Sequence, residues 1–330
     1  MKWNLSKMMF LSSMITGTTI TISSKTWIMM WIGLEMNLLS FIPLMTQNKN
    51  PYETEASMKY FMTQAMASMI MLMALILSDM KMETEIPKMM MLTAIFIKMG
   101  AAPFHMWFPS VMQGLSWMNC LLLMTWQKIA PMIMTSYLMS TGLLSNLIII
   151  LSVLVGAGGG FNQTSIRKMM AYSSISHIGW LLTALIMSMT FWLIYFLIYT
   201  LMNIAVIVMM MQNKIYHLKQ IFSMKMNNNV KLAMFTSILS LGGLPPFLGF
   251  LPKWMIIQNS MTSDNKINIM IMIMTTMVTL YFYLRMTYSA FTLNSQLTSW
   301  TNSNFNKNST MMTTIISMMG IPFIVMISLY

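Results

Sequence analysis

From one end to the other, the chain alternates between long apolar runs and short polar stretches. The runs are close to the roughly 20 residues that an α-helix needs to cross the hydrocarbon core of a bilayer. They predict eleven spans, near 4–24, 26–45, 58–78, 88–109, 119–138, 143–160, 168–188, 190–213, 231–258, 266–291 and 309–329. The first is rich in Thr and Ser (TGTTITISS), whose hydroxyls can bond back to their own helix carbonyls. Only the polar stretches 46–57, 214–230 and 292–308 have any length, and their Asn-rich texture (NNN, TNSNFNKN) marks surface rather than domain linkers. The expectation is one polytopic, all-α membrane domain over residues 1–330.

Composition agrees with the pattern. The chain is 57% hydrophobic and 8% charged, against about 25% charged in ordinary soluble domains. That excludes a soluble globular protein. The net charge of +12 is spread thinly and has no basic cluster interleaved with aromatics, so nucleic acid is not an expected partner. A single cysteine, Cys120, excludes an intrachain disulfide, a Cys-based zinc site and an iron–sulfur cluster. The opening MKWNLSKMMFLSSM has neither the cleavage site of a secretory signal nor the Arg-rich character of a mitochondrial import sequence. Fifty methionines exceed any packing need and suggest a genetic code with an extra AT-rich Met codon, hence an organelle genome.

Basic residues orient the spans. Eleven fall on the N-terminal side (Lys2, Lys7, Lys49, Lys59, Arg167, Lys168, Lys214, Lys219, Lys225, Lys231 and Lys307), against four on the other (Lys25, Lys81, Lys88 and Lys266). The N-terminus is therefore expected on the cytoplasm-equivalent side, and eleven spans put Tyr330 opposite.

Four further basic residues, Lys98, Lys128, Lys253 and Arg285, lie inside spans, with one acid, Glu35. Arg285 is near enough to the end of its span to snorkel. Glu35, Lys98 and Lys128 are near mid-span, where that escape is poor, and Lys253 sits in a long, broken span. Each such charge costs roughly 2.5–3.5 kcal/mol at a helix centre, so the set costs on the order of 10–14 kcal/mol before pairing and hydration. The residues alone leave two readings open. One is a buried ion pair that fixes helix packing. The other is a lysine that gains and loses a carboxylate partner and so carries a proton, since burial favours the neutral forms and a nearby opposite charge restores the ionised ones.

Two spans carry breaks. Gly100 and Pro103 follow Lys98, and Gly242, Gly243, Pro245 and Pro246 precede Lys253. Proline removes an amide donor and clashes with the preceding turn, and freed backbone groups are tolerated at depth only where protein or a wet cavity surrounds them. The breaks fall in the fourth and ninth spans. Interrupted helices in corresponding positions of two halves predict inverted repeats with a site at the midplane. His105 and His177 are the remaining titratable groups near these spans, each either a hydrogen-bonded packing residue or a secondary proton relay.

The motifs then point to a family. NQTSIRKMMAYSSISHIGW (Asn162 to Trp180) and FIKMGAAPFHMWFPSVMQG (Phe96 to Gly114) resemble the signature segments of the antiporter-like subunits of respiratory complex I. WIGLEMNLLSFIPLM, MTWQKIAP and LGGLPPFLGFLPKW are similar to further segments of that family, and the likeness spans essentially the whole chain. The resemblance implies a proton-translocating module of an NADH:ubiquinone reductase in the mitochondrial inner membrane, N-terminus in the matrix and C-terminus in the intermembrane space. It implies that Glu35, Lys98, Lys128 and Lys253 carry the proton, and that this chain holds no cofactor. NADH, FMN, iron–sulfur clusters and ubiquinone would be bound by other subunits. The implied partners are the other membrane-arm subunits, including neighbouring antiporter-like ones, and membrane lipids. The competing readings are a stand-alone cation/proton antiporter, disfavoured by one glutamate and no aspartate at membrane depth, and a purely structural helix bundle.

Overall fold

A computed structural model describes residues 5–46, 50–80, 85–139, 142–223, 228–261, 266–292 and 307–320. They are almost entirely helical, with one isolated antiparallel bridge, Ser165 to His217. By the packing of its backbone the chain divides into two units, Met1–Ser145 and Asn146–Tyr330.

The first unit contains α1 (Leu5–Ser23), α2 (Trp27–Met45), α3 (Pro51–Asp79), α4 (Glu85–Met99), α5 (Trp107–Gly114), α6 (Trp117–Met124) and α7 (Trp126–Leu138). α1 forms despite its hydroxyl content because the hydroxyls turn inward on their own helix. Thr18 Oγ1 donates to the Ile15 carbonyl at 2.8 Å and Thr21 Oγ1 to that of Thr18 at 2.7 Å. α3 begins seven residues before the expected span, in what hydropathy alone reads as loop. Pro51 is pre-organised for a first helical turn, Glu53 suits the positive N-terminal end, and Glu55 pairs with Lys59 one turn on. The core of this unit is apolar and closely packed around Phe41, Met71, Ile95, Phe96, Phe108 and Met112.

The second unit contains most of α8 (Leu143–Phe161), then α9 (Ile166–Met187), α10 (Met189–Gln212), a short α11 (Leu218–Ser223), α12 (Asn228–Gly242), α13 (Phe250–Ser260), α14 (Lys266–Thr292) and α15 (Lys307–Met318). α9 is buried on nearly its whole circumference and packs against α10 and α13. It nonetheless carries Ser173, Ser174, Ser176 and His177 inward.

Among the described residues, six helices are long and apolar enough to cross a membrane: Trp27–Met45, Pro51–Asp79, Leu144–Phe161, Ile166–Met187, Met189–Gln212 and Lys266–Thr287. The fourth and ninth expected spans are each two helices, α4 with α5 and α12 with α13, divided where the sequence placed its breaks. The fifth is divided too, which was not expected. Its halves α6 and α7 meet at Thr125. Residues 321–329 of the eleventh expected span lie outside the described residues. Outward faces are apolar and methionine-rich, with Met66, Met69 and Met73 on α3 and Met270, Met274 and Met277 on α14 all exposed. Such faces need a hydrocarbon or protein environment, and any unbranched apolar side chain serves there.

Candidate functional site

The break after Lys98 is built by a left-handed glycine. Gly100 has φ +72°, a conformation that costs other residues about 1–2 kcal/mol. Its N–H reaches the Ile97 carbonyl at 3.1 Å, and Ala101 N–H reaches back to Phe96 at 3.1 Å. This is the hydrogen-bond pair of a Schellman helix end. Side chains add further donors at this end. Trp107 Nε1 donates to Ile97 O at 3.0 Å, and Gln64 Nε2 donates to Lys98 O at 3.4 Å.

Lys98 thus lies in the last turn of a helix that stops inside the unit, at the negative end of its dipole. Its Nζ lies 3.4 Å from Glu35 Oε1 on α2. The lysine side chain is 4% exposed and the glutamate 24%, so the acid is the more accessible member. A cavity of about 10 Å³, near the lower limit for one water, adjoins the pair. Its polar lining is Lys98, Asn37, Tyr60, Gln64 and Gln127.

The second break repeats the device with a different donor. Gly243, φ +82°, closes α12 through bonds from its N–H to the Leu239 and Ser240 carbonyls at 3.2 and 3.1 Å. The chain then turns through Pro245 to Gly249 into α13. From α13, Lys253 reaches back and its Nζ donates to the Gly242 carbonyl at 2.9 Å. Here the buried lysine itself satisfies the helix end. Lys253 lines a second cavity of about 10 Å³ with Ser176, His177, Thr276, Thr279 and Tyr283. His177 Nδ1 is hydrogen-bonded to the Tyr195 hydroxyl at 2.9 Å, and its ring lies 5.0 Å from that of Tyr199.

Lys128 follows the unexpected interruption. Thr125 has φ −110° and ψ −73°, and both its N–H and its hydroxyl bond to the Leu121 carbonyl, at 3.0 and 2.7 Å. Pro131, inside α7, has no N–H, and its ring crowds the carbonyl of Gln127 four residues earlier. The Lys128 ammonium is buried and lies 5.5 Å above the centre of the Phe108 ring, within cation–π range.

Each expected site residue therefore has a definite place. Glu35 and Lys98 are in contact, and Lys253 and His177 share a cavity. His105 sits within the first break, its Nδ1 3.2 Å from the Pro103 carbonyl, and Arg285 donates from Nη2 to the Gln163 carbonyl at 3.1 Å. Charge alone did not find the neutral polar lining: Asn37, Tyr60, Gln64 and Gln127 in one unit, and Thr276, Thr279 and Tyr283 in the other. The available signal was the presence of amides at mid-span, where an unpaired polar group is also costly.

The fold is a bundle of apolar helices, several long enough to cross a membrane, in which buried lysines lie beside helix breaks. The family profile described as NADH:quinone oxidoreductase/Mrp antiporter, transmembrane region, matches residues 24–279, and the chain belongs to this family. It is 48% identical to NADH-ubiquinone oxidoreductase chain 2 of Anopheles gambiae, over 98% of each chain. The protein of that name from Bos taurus is 42% identical over 84% of each chain. Among solved structures, a chain of respiratory complex I from Thermus thermophilus with bound aureothin has a TM-score of 0.82 at 22% identity, covering 95% of this chain and 76% of that one. A chain of the Mrp complex from Dietzia sp. has a TM-score of 0.75 at 17% identity, covering 84% and 59%. The fold is that of the antiporter-like membrane proteins.

Proposed function

We propose that this chain is a core membrane-arm subunit of an NADH:ubiquinone oxidoreductase and translocates protons without a redox centre of its own. NADH oxidation and ubiquinone reduction occur on other subunits, which hold the NADH, FMN, iron–sulfur and quinone sites. The chain is a multi-pass protein of the mitochondrial inner membrane, with its N-terminus in the matrix. Its spans, about eleven, form one membrane domain of two inverted repeats, each with a broken helix that positions a lysine. Its partners are the other membrane-arm subunits.

The observation that carries the reading is the Glu35–Lys98 contact at 3.4 Å beside a broken helix. At an effective dielectric near 20 such a pair is worth about 4–5 kcal/mol. Moving one charge against the membrane potential costs about 2.3 kcal/mol per 100 mV. Opening and closing one Glu–Lys pair is therefore the right size to drive one proton against a physiological potential. Lys98, Lys128 and Lys253 hold the proton in turn, Glu35 sets the charge of Lys98, and His177 serves Lys253 as a secondary relay. His105 is placed in the first break for the same secondary role.

The test is extraction of the native membrane in mild detergent, a native gel, and mass spectrometry of the band that contains this chain. The expected band is a very large assembly with inhibitor-sensitive NADH–quinone reductase activity. A small band that exchanges cations for protons in vesicles without NADH would favour the stand-alone antiporter instead.

A further inference from the structure

On the cavity that Lys98 lines is a group that the charge reading does not use. Gln127 precedes Lys128 in the chain, and its side-chain amide is held at both ends. Its Nε2 donates to Asn37 Oδ1 on α2 at 3.0 Å, and its Oε1 accepts from the Tyr60 hydroxyl on α3 at 3.4 Å. Tyr60 is itself locked by ring contacts with Phe41 and Trp107 at 5.4 and 5.8 Å.

The two contacts decide which way the amide faces. Asn37 takes the NH₂ end, so the oxygen turns toward Tyr60 and the cavity that Lys98 also lines. An amide oxygen has two lone pairs, and Tyr60 uses one. Lys98 has three N–H donors, of which Glu35 engages one. An acceptor with spare capacity and a cation with spare donors thus border one polar cavity of the size of a single water.

We propose that Gln127, oriented by Asn37 and Tyr60, is a positioning residue that offers Lys98 a neutral acceptor, directly or through one water, when its ammonium parts from Glu35. This rests on the translocation role given to Lys98 above. It supplies what a switching lysine needs, a second resting place at membrane depth where an unpaired ammonium is costly. The neutrality of the amide is the important property. A carboxylate there would hold the ammonium as firmly as Glu35 does, and an apolar side chain would not hold it at all.

The titratable groups around this position are Glu35 on α2, Tyr60 on α3, Lys98 on α4 and Lys128 on α7. Of the other helices against α7, α6 carries Cys120, bonded to the Met112 carbonyl at 3.5 Å, and α1 carries Lys7 near its N-terminal end.

The test compares Gln127→Met, Gln127→Glu and Lys98→Met in the assembled complex, with assembly checked on a native gel and protons pumped per NADH measured from acid to alkaline pH. Gln127→Met is expected to lower the ratio at every pH. Gln127→Glu is expected to pump near the parent ratio in acid, where a protonated carboxyl is a neutral acceptor like the amide. It should lose severalfold as the pH rises and the ionised carboxylate traps Lys98. A purely structural role would not give this pH-dependent recovery. Parent-like pumping by both Gln127 variants, or a loss in Gln127→Glu that does not vary with pH, overturns the proposal. If Gln127→Met does not assemble, the nearly isosteric Gln127→Glu decides alone. Unchanged pumping by Lys98→Met overturns the role of Lys98 itself. Loss there with parent-like Gln127 variants removes only the positioning role.

Discussion

Lys253 donates from its ammonium to the carbonyl of Gly242, the last residue of α12, across 2.9 Å. One contact therefore does two things: it closes an unsatisfied helix end, and it gives a buried cation the negative pole of a helix. Gly243 lies against the same ammonium, since a Cβ added there would come within 3.0 Å of Nζ and 3.2 Å of Cδ. The break, the glycine and the lysine form one unit.

Gly243→Ala is accordingly expected to be destabilising twice over. The left-handed backbone costs about 1–2 kcal/mol for a residue with a Cβ, and the methyl group must displace the Lys253 side chain. The assembled complex should melt at a lower temperature and turn over more slowly. Gly158→Ala is the control: a Cβ there meets nothing within 4 Å, and alanine favours a helix by up to about 1 kcal/mol. Thermal melting of the two variants side by side checks both expectations.

Trp107→Phe tests how the first break is held. The indole N–H is a second donor to Ile97 O at 3.0 Å, beside Gly100 N–H at 3.1 Å, so its removal loses one hydrogen bond worth about 0.5–1.5 kcal/mol. Loss of assembly or a lowered melting temperature is expected, with the apolar ring contacts to Tyr60 and Phe108 largely kept. An unchanged melting temperature would mean that the Gly100 N–H alone suffices for this carbonyl.

Tyr195→Phe removes the hydroxyl on His177 Nδ1 and keeps the ring. The imidazole would then lose the contact on Nδ1 within the cavity that it shares with Lys253. Pumping per NADH should fall by less than in a Lys253→Met variant. Parent-like pumping would assign His177 to packing.

How much of this was legible in the sequence depends on what kind of signal each residue gives. Lys98 and Lys253 stood out because a charge in an apolar run is expensive, and glycines and prolines beside them marked the breaks. The Thr and Ser of α1 are compatible with a helix, because their hydroxyls bond to carbonyls of the same helix. α3 starts earlier than hydropathy indicates, because hydropathy measures the bilayer and not the helix, and Pro51 to Ser57 are helical without being apolar. The interruption at Thr125 has no local mark in the sequence. Leu121 to Trp126 hold neither glycine nor proline. Asn37 and Gln127 lie on helices far apart in sequence, and nothing local announces that one amide orients the other.

The most direct measurement is protons pumped per NADH by a Lys98→Met variant of the assembled complex, reconstituted into sealed vesicles. Methionine keeps the length and the apolar stem but can neither pair with Glu35 nor carry a proton. The account predicts an intact assembly whose pumping ratio falls. An intact assembly with the parent ratio would contradict it, and would leave the Glu35–Lys98 pair as a device that only fixes α2 against α4.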